Sequence, residues 1–457
     1  MAQAETQATK SAYSVPQRME RLPMSSYQNM IFLIIATAWL FDSIDLGMLT
    51  FVLGSLKTHF HLSVVQTGLL SSASFLGMFF GAAIAGMLAD RFGRKIVFQW
   101  SMVLWGLGSF LSAFSPSAEM LGISRILVGF GMGMEFPIGQ SLISEFIPAK
   151  NRGRYIAFLE GFWPLGFITA GILAYFILPV GGWRWVFIAQ GIPAIFVLFI
   201  RRVVPESPRW LESRGRDAEA NQVMTTFEEH VKHSLGLKEL PQPSGKSFAA
   251  VAGERKFSFM DLWAPGYAKR TVMVWALWFF ALLGYYGLTT WLGAFLQQAG
   301  YSVTKSVFYT LLISLAGLPG FVSAAYLLEI IGRKGTVALM LFGSAIAAYF
   351  YGTAGSVTTL IAFGLCMQFF LFGMWSSIYA YTPELYPTRA RATGAGFASA
   401  LGRLGSLLGP YIVGVLLPIT GHTGIFTLGA ASFVVAALVV LLFGVETKGK
   451  VLEEISG

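Results

Sequence analysis

Six ionisable side chains lie inside long apolar stretches of this 457-residue sequence, where a charge requires a partner or a function. At the centre of a bilayer such a residue costs about 2.5–3.5 kcal/mol, so it commonly lines the path of a substrate or a proton. Four are acids and two are arginines, so they cannot all be paired, and at least one carboxyl is expected to bind and release a proton. They are Asp42, Asp45, Arg125, Glu135, Glu160 and Arg403.

The apolar stretches predict transmembrane helices. Hydrophobic residues make up 55% of the chain and charged residues 12%, against about 25% charged in soluble domains, and the mean hydropathy is +0.64. Crossing the hydrocarbon takes about 20 apolar residues. We therefore predict an all-α membrane protein with twelve transmembrane helices. These fall at 29–54, 64–89, 96–114, 119–146, 154–178, 183–204, 270–296, 304–328, 335–353, 356–382, 393–417 and 422–445.

A long polar gap divides these helices into two sets of six. The predicted organisation is a polar tail at 1–28, a six-helix bundle at 29–204, a linker with intracellular helices at 205–269, a second six-helix bundle at 270–446 and a tail at 447–457. Lys and Arg concentrate in the tails, the linker and the loops on one side, which favours the cytoplasm. We expect both termini in the cytoplasm, and we expect residues 1–28 to be a tail and not a signal peptide.

Other classes of protein have little support in the sequence. A single cysteine, Cys366, excludes a disulfide framework and a cysteine zinc site. The glycine-rich segment 129–133 lies inside an apolar helix, so it predicts close helix packing and not nucleotide binding. The net charge of +9 follows from orientation in the membrane and needs no nucleic acid partner. We expect no enzymatic activity, no cofactor and no metal site.

Two charged loops of the first half recur in the second half at one offset of 239 residues. Segment 90–95 corresponds to 329–334, and segment 145–152 corresponds to 384–391. Both copies retain acids as well as bases at helix ends, which predicts a charge network that closes one side of the protein. The alternative is that the loops are basic only to set the membrane orientation and that their acids are incidental. The predicted gating residues are Asp90, Arg91, Arg94, Glu145 and Arg152, their counterparts Glu329, Arg333, Glu384 and Arg391, and Glu206 and Arg209 of the linker.

With these motifs, the sequence resembles the major facilitator superfamily of transporters over nearly its whole length. Segment 205–211, Pro-Glu-Ser-Pro-Arg-Trp-Leu, and segment 445–454 are typical of its sugar-porter and organic-ion branches. Segment 125–133 matches the arginine-and-glycine motif of the superfamily. Within this group the chain is most similar to bacterial niacin transporters, which are related to the organic cation and anion transporters and to synaptic vesicle glycoprotein 2. The resemblance implies two pseudo-symmetric six-helix bundles.

The resemblance also implies roles for buried charges. Asp45 occupies the position of the first-helix aspartate of proton-coupled sugar porters, which meets the fourth-helix arginine, here Arg125. This implies a protonation switch, and a static buried pair is the alternative. Organic anion transporters place an arginine on the eleventh helix, where Arg403 lies. A guanidinium about 15 Å into that helix suits a carboxylate, which belongs either to the substrate or to Glu160 or Glu135.

Aromatic side chains at mid-span predict the rest of a cavity, because lipid-facing Trp and Tyr concentrate at the membrane interfaces. Where sugar porters carry amides on the seventh helix, this chain has Phe280, Ala281 and Tyr286, which disfavours a sugar. Asp45 and Arg125 are the predicted proton-coupling residues. The predicted substrate-binding residues are Asp42, Glu135, Glu160, Trp163, Tyr285, Tyr286, Trp375, Tyr379 and Arg403.

We therefore expect a monomeric secondary transporter in the lipid bilayer of a bacterial inner membrane. Its expected substrate is a small aromatic carboxylate, nicotinate (niacin) first, imported by alternating access with or without a proton. The alternatives are an organic cation held by the buried acids, a sugar, or a non-transporting membrane sensor. Charged loops retained in both halves argue against the sensor, since a sensor has no need to cycle.

Overall fold

The computed structural model describes residues 13–242, 259–264, 266–386 and 391–448, and within these ranges the chain forms helices and no strand. Two short 3-10 helices, Ile192–Ile195 and Phe259–Trp263, accompany the α-helices. In chain order the α-helices are α1 (Val15–Glu20), α2 (Ser26–His59), α3 (Val64–Phe92), α4 (Arg94–Ala113), α5 (Ala118–Phe146), α6 (Ala149–Glu160), α7 (Phe162–Gly191), α8 (Phe196–Val203), α9 (Pro208–Ser213), α10 (Asp217–Leu235), α11 (Ala268–Thr289), α12 (Leu292–Gln298), α13 (Val303–Ser314), α14 (Gly317–Ile330), α15 (Arg333–Gly352), α16 (Val357–Glu384) and α17 (Arg391–Phe443).

Ten helical segments of the described chain are long and apolar enough to cross a membrane. Two of them, Lys150–Ile195 and Gly394–Phe443, have 46 and 50 residues, far more than the about 20 that a crossing needs. Each contains a glycine in a left-handed, non-helical conformation, Gly182 and Gly421, both with φ of 66°. Each segment is therefore two spans joined at a glycine. This gives twelve membrane helices, and the predicted fold class is confirmed.

The ends of the helices repeat at the same offset of 239 residues. Ser63 and Ser302 cap α3 and α13 by accepting the backbone N–H three residues further on. After α3 and α14, Gly93 and Gly332 turn the chain with φ of 103° and 89°, a conformation that glycine adopts at little cost. The tight turns therefore hold the two charged segments in equivalent positions of two related halves, α2–α8 and α11–α17.

The two ends of the described chain lie on one side of the molecule, which we call the terminal side; the opposite side is the distal side. On the terminal side α1 docks onto α10, where Arg18 and Arg21 each form a 2.7 Å ion pair with Glu228. Burial alone would raise the pKa of Glu228, but the two guanidinium groups outweigh it and hold the pKa below its ordinary value.

The halves meet on the distal side. The backbones of α3 and α17 approach closely where Gly68 faces Gly414, and the Ser72 hydroxyl donates a 2.7 Å hydrogen bond to the Leu407 carbonyl. Further along, the side chain of Gln297 occupies the space beside Gly54. The molecule is therefore closed on the distal side.

We predict that Gly414→Trp holds the halves apart on the distal side. Even a Cβ at this position would lie 2.9 Å from the Val64 carbonyl oxygen and 3.0 Å from the Gly68 Cα, so an indole cannot fit in the closed arrangement. Distances between spin labels at the distal end of α3 and on α17 near its distal turn at Gly421 should lengthen. Gly396→Trp on the same helix has open space at its Cβ and should leave the distances unchanged. Equal distances in both variants would contradict this closure.

Candidate functional site

Asp45 and Arg125 form a bidentate ion pair between α2 and α5. The two guanidinium nitrogens lie 3.1 and 2.6 Å from the two carboxylate oxygens, and both side chains are fully buried. Ser109 donates a further hydrogen bond to Asp45, and the third guanidinium nitrogen of Arg125 donates to Ser74 at 3.1 Å. The structure therefore brings together the two residues predicted for proton coupling, with their polar atoms satisfied.

Asp42, one helical turn before Asp45, is buried without such partners. Its exposed fraction is 0%, and neither carboxyl oxygen has a hydrogen-bond partner among the described residues. Glu135 on α5 is equally buried; one carboxyl oxygen accepts a 3.2 Å hydrogen bond from the Trp105 indole and the other has no partner in the described chain. Neither acid lines the cavity between the two halves that is described below.

Arg403 reaches a central cavity between the two halves. Arg403 is 8% exposed. The central carbon of its guanidinium lies 4.6 Å from the centroid of the Phe136 ring, and one guanidinium nitrogen lies 3.9 Å from the Met78 sulfur. Within the part of the chain that the structure describes, no carboxylate lies within 4.0 Å of it. The expectation of a direct internal salt bridge to Glu160 or Glu135 is therefore not met in this conformation.

Packing of α17 against α11 sets the direction of Arg403. Gly402, Gly405 and Gly409 let the two helices approach so closely that a Cβ at Gly409 would lie 2.6 Å from a carbonyl oxygen of α11. Because these glycines occupy the face of α17 toward α11, the guanidinium projects from another face into the cavity.

The side chains around the cavity are mostly aromatic. Six predicted substrate-binding residues line it: Glu160, Trp163, Tyr286, Trp375, Tyr379 and Arg403. Tyr285 does not line it; the ring is buried and packs edge-on against Trp375 at 5.2 Å. Glu160 is the last residue of α6, at the break between α6 and α7. The Gln140 side chain donates a 3.4 Å hydrogen bond to its carboxyl group.

Sequence reasoning missed part of the lining. Phe136, Pro164, Trp278, Leu282, Phe321 and Phe372 complete the wall. Phe136 had a usable signal, because it is the counterpart of Trp375 at the offset of 239 residues. Leu282 and Phe321 had none, since an apolar side chain facing a cavity has the same sequence pattern as one facing lipid.

The predicted charge network is present in both halves on the terminal side. Arg94 contacts Asp90 at 2.7 Å and Glu145 at 3.4 Å, and its counterpart Arg333 contacts Glu329 and Glu384 at 3.1 Å each. These ion pairs join helices within each half. That the network closes the terminal side in another conformation therefore stays a prediction.

Two acids outside the loop motifs anchor these turns: Glu206 of the linker, and Glu446 just after α17. Glu206 accepts hydrogen bonds from the backbone N–H groups of Arg94 and Lys95, and Glu446 accepts the same pair from Arg333 and Lys334, all at 2.8–3.1 Å. Burial raises the pKa of Glu206, against the N–H donors. Burial alone would also raise the pKa of Glu446, but four N–H donors outweigh it, and the pKa lies below its ordinary value.

The remaining gating residues have partners that the loop motifs did not indicate. Arg152 and Arg209 both pair with Glu20 of α1, at 3.3 and 2.9 Å. Arg91 is exposed and its guanidinium lies over the Phe92 ring, 5.2 Å from its centroid. The side chain of Arg391, the predicted counterpart of Arg152, lies outside the described residues.

The arrangement of the helices has a match among solved structures. The structural match to a D-xylose–proton symporter covers 93% of this chain and 100% of the symporter chain. Its TM-score is 0.71, and the two sequences are 23% identical. Twelve membrane helices in two related halves, with a cavity between them, form the major facilitator fold.

The family follows from the sequence comparison. Residues 8–457 match the model described as "Sugar (and other) transporter". The chain is 38% identical over 441 residues to the niacin transporter NiaP of Acinetobacter baylyi, covering 96% of this chain and 98% of that protein. It is 35% identical over 416 residues to the putative niacin/nicotinamide transporter NiaP of Bacillus subtilis, covering 91% and 95%. The chain belongs to the sugar (and other) transporter family of the major facilitator superfamily, whose members are multi-pass transporters of small molecules and not enzymes.

We predict that Glu206→Gln destabilises the protein by about 1–3 kcal/mol, because the amide oxygen still accepts the two N–H groups but without the negative charge that strengthens these hydrogen bonds. Glu446→Gln should have a similar effect, since the same contacts recur in the second half. Asp90→Asn should cost less than about 1 kcal/mol, because the Asp90 side chain is 69% exposed and its pair with Arg94 is screened. Thermal unfolding in detergent measures all three, and a larger loss in Asp90→Asn than in Glu206→Gln would contradict this ranking.

Proposed function

We propose that the protein imports nicotinate, or a closely similar small aromatic monocarboxylate, by alternating access in symport with a proton. The observation that carries this proposal is the Arg403 guanidinium, which faces the cavity without a carboxylate partner among the described residues. The names of its relatives, a niacin transporter and a putative niacin/nicotinamide transporter, support the same substrate.

The charge of Arg403 determines the sign of the substrate. Arginine stays protonated under all ordinary conditions, and burial in a membrane protein leaves it few water molecules. Its contact with the Phe136 ring stabilises a desolvated cation by about 2 kcal/mol, which does not replace an anion. A planar carboxylate can accept two parallel hydrogen bonds from the guanidinium fork, so an organic anion fits this position.

The walls determine the shape of the substrate. Eight of the lining side chains are aromatic, and in the described chain no Asn, Gln, Ser or Thr side chain lines the cavity. A flat ring can stack on such walls, whereas the hydroxyl groups of a hexose would lose their hydrogen bonds to water without replacement. Glu160 is the other ionisable group of the lining. In its neutral form it can donate a hydrogen bond to the pyridine nitrogen of nicotinate.

An organic cation is the second candidate, because Glu160 also faces the cavity. The two candidates differ in the residue that provides the attraction: Glu160 would hold a cation, and Arg403 would repel it. Competition between nicotinate and a quaternary ammonium compound for one binding site therefore separates them.

Proton symport is proposed from the Asp45–Arg125 pair. Breaking a buried ion pair is costly, so the pair stays intact while Asp45 is ionised and loosens when Asp45 takes up a proton. Proton binding would thus release α2 from α5 and permit the change between the two access states. The basic loops and tails on the terminal side support, by the positive-inside rule, a cytoplasmic location of both termini in a bacterial cell. We propose that the protein acts there as a monomer.

We predict that Arg403→Ala weakens nicotinate binding by about 10- to 150-fold, because a charge-assisted hydrogen bond contributes about 1.5–3 kcal/mol. Arg403→Lys retains the charge without the fork and should recover part of the affinity. Nicotinamide, with the same ring and no charge, should bind weakly to the unaltered protein and lose little in Arg403→Ala. Calorimetric titration of the purified protein measures each affinity.

Arg154→Ala is the matched control for this series. Arg154 also lies over a phenylalanine ring, that of Phe158 at 5.1 Å, but it is exposed and outside the cavity. The Arg154→Ala variant should bind nicotinate with the same affinity as the unaltered protein. If a folded Arg403→Ala variant also does so, Arg403 is not the carboxylate site, and the organic cation becomes the better proposal.

We predict that Asp45→Asn abolishes uphill accumulation of nicotinate driven by a pH gradient, while exchange of labelled nicotinate across the membrane continues. The amide imitates the protonated carboxyl, so the conformational change is permitted without coupling to a proton. Loss of the ion pair should also lower stability by about 3–5 kcal/mol. Continued exchange shows that the variant is folded, and accumulation equal to that of the unaltered protein would reject Asp45 as the coupling residue.

A further inference from the structure

Asp42 and Glu135 are two buried acids that neither take part in the Asp45–Arg125 ion pair nor line the cavity. Both have an exposed fraction of 0%. Neither oxygen of Asp42 has a partner in the described residues, and Glu135 has a single donor, the Trp105 indole. An ionised carboxylate with no hydrogen bonds in such surroundings carries a large desolvation cost, whereas a neutral carboxyl carries a small one. Burial without hydrogen-bond partners therefore favours the neutral form of Asp42 in this conformation.

The surroundings of Asp42 favour the same state. Two acids act on it, Glu135 of α5 and Asp45 of its own helix, and their negative charges disfavour a second one on Asp42. Among the described residues, Arg403 of α17 is a cation that acts on Asp42, but no ion pair joins the two. Helix α7, which also packs against this part of α2, carries one charged side chain, Arg184, which lies just after the distal turn at Gly182.

The acids belong to one half alone. At the offset of 239 residues Asp42 corresponds to Ala281 and Glu135 to Met374, so the second half packs apolar side chains where the first half buries two carboxyls. The fold therefore does not require carboxyls at these positions.

We propose that Asp42 and Glu135 form a second proton-binding site, separate from the Asp45–Arg125 pair, and that the proton held there keeps Arg403 available to the carboxylate of the substrate. Ionised acids at this site would offset part of the positive potential of Arg403. The guanidinium would then attract the carboxylate of the substrate less strongly. With the proton bound, the guanidinium attracts the incoming anion alone. Proton and anion therefore bind cooperatively, and each increases the affinity of the protein for the other. This inference rests on the proposed function in one respect, the nature of the anion.

The first test needs no ligand. Infrared difference spectra between the unaltered protein and Asp42→Asn at neutral pH should show the loss of one carbonyl band of a protonated carboxylic acid. The amide has the shape and polarity of the neutral carboxyl, so the variant should fold. Glu119→Gln, an exposed acid on the same helix as Glu135, is the control and should lose no such band. Spectra of Asp42→Asn without this loss overturn the proposal.

The second test measures nicotinate affinity against pH by calorimetry. The measurements are made in a Glu160→Gln background, because Glu160 faces the cavity and would add its own pH dependence. In the Glu160→Gln protein itself the affinity should fall by about tenfold for each pH unit once the shared proton is lost. In this background, Asp42→Asn combined with Glu135→Gln should keep the affinity constant over this range. Nicotinamide, which has no carboxylate for Arg403, should show no such fall. A double variant in this background that retains the pH dependence of the Glu160→Gln protein overturns the proposal.

The two tests separate failure of the second proton site from failure of the nicotinate proposal. Absence of nicotinate binding to the unaltered protein contradicts the substrate alone, because the infrared band of Asp42 is measured without it. Binding of nicotinate without the infrared band contradicts the second proton site alone.

Discussion

A charge inside the membrane has to be balanced, and this constraint explains the arrangement of the site. Asp45 and Arg125 balance each other at 2.6 and 3.1 Å, so they form a closed unit that needs nothing from outside. Arg403 lacks such a partner in the described chain and lies at the wall of the cavity instead. The missing counter-charge is what the proposed substrate supplies. An aromatic carboxylate provides the anion for the guanidinium and an apolar ring for the walls.

Comparison of the two halves separates residues that hold the fold from residues that distinguish this site. The glycine turns, the serine caps and the anchored charge networks occur in both copies at the same offset, so they serve the architecture. The membrane charges occur in one copy: Asp45 and Arg125 correspond to Gly284 and Gly364, and Arg403 corresponds to Pro164. In the second half Phe433 fills the space beside Gly284, and Ile313 that beside Gly364. The specific chemistry is therefore an addition to a symmetric frame.

Much of this organisation could be predicted from the sequence, because apolar length and repeated motifs are local properties. The buried charges and six cavity residues were also identified, since a polar or amphipathic aromatic side chain at mid-span seldom faces lipid. The choice between Tyr285 and Tyr286 was not possible, because neighbours on a helix point about 100° apart and packing decides which one faces the cavity. The partner of Arg152 was equally hidden: Glu20 lies 132 residues away, and tertiary packing brings it there.

The proposed function depends most on Arg403 as the residue that holds the carboxylate of the substrate in a cavity of aromatic side chains. A cryo-electron microscopy structure of the full chain with bound nicotinate would show this contact or its absence. We expect density for the ligand between the halves, with both carboxylate oxygens within hydrogen-bond distance of the Arg403 guanidinium and the pyridine ring between Phe136 and Trp375. A structure in which Arg403 pairs with Glu160 while nicotinate binds elsewhere would contradict the proposal.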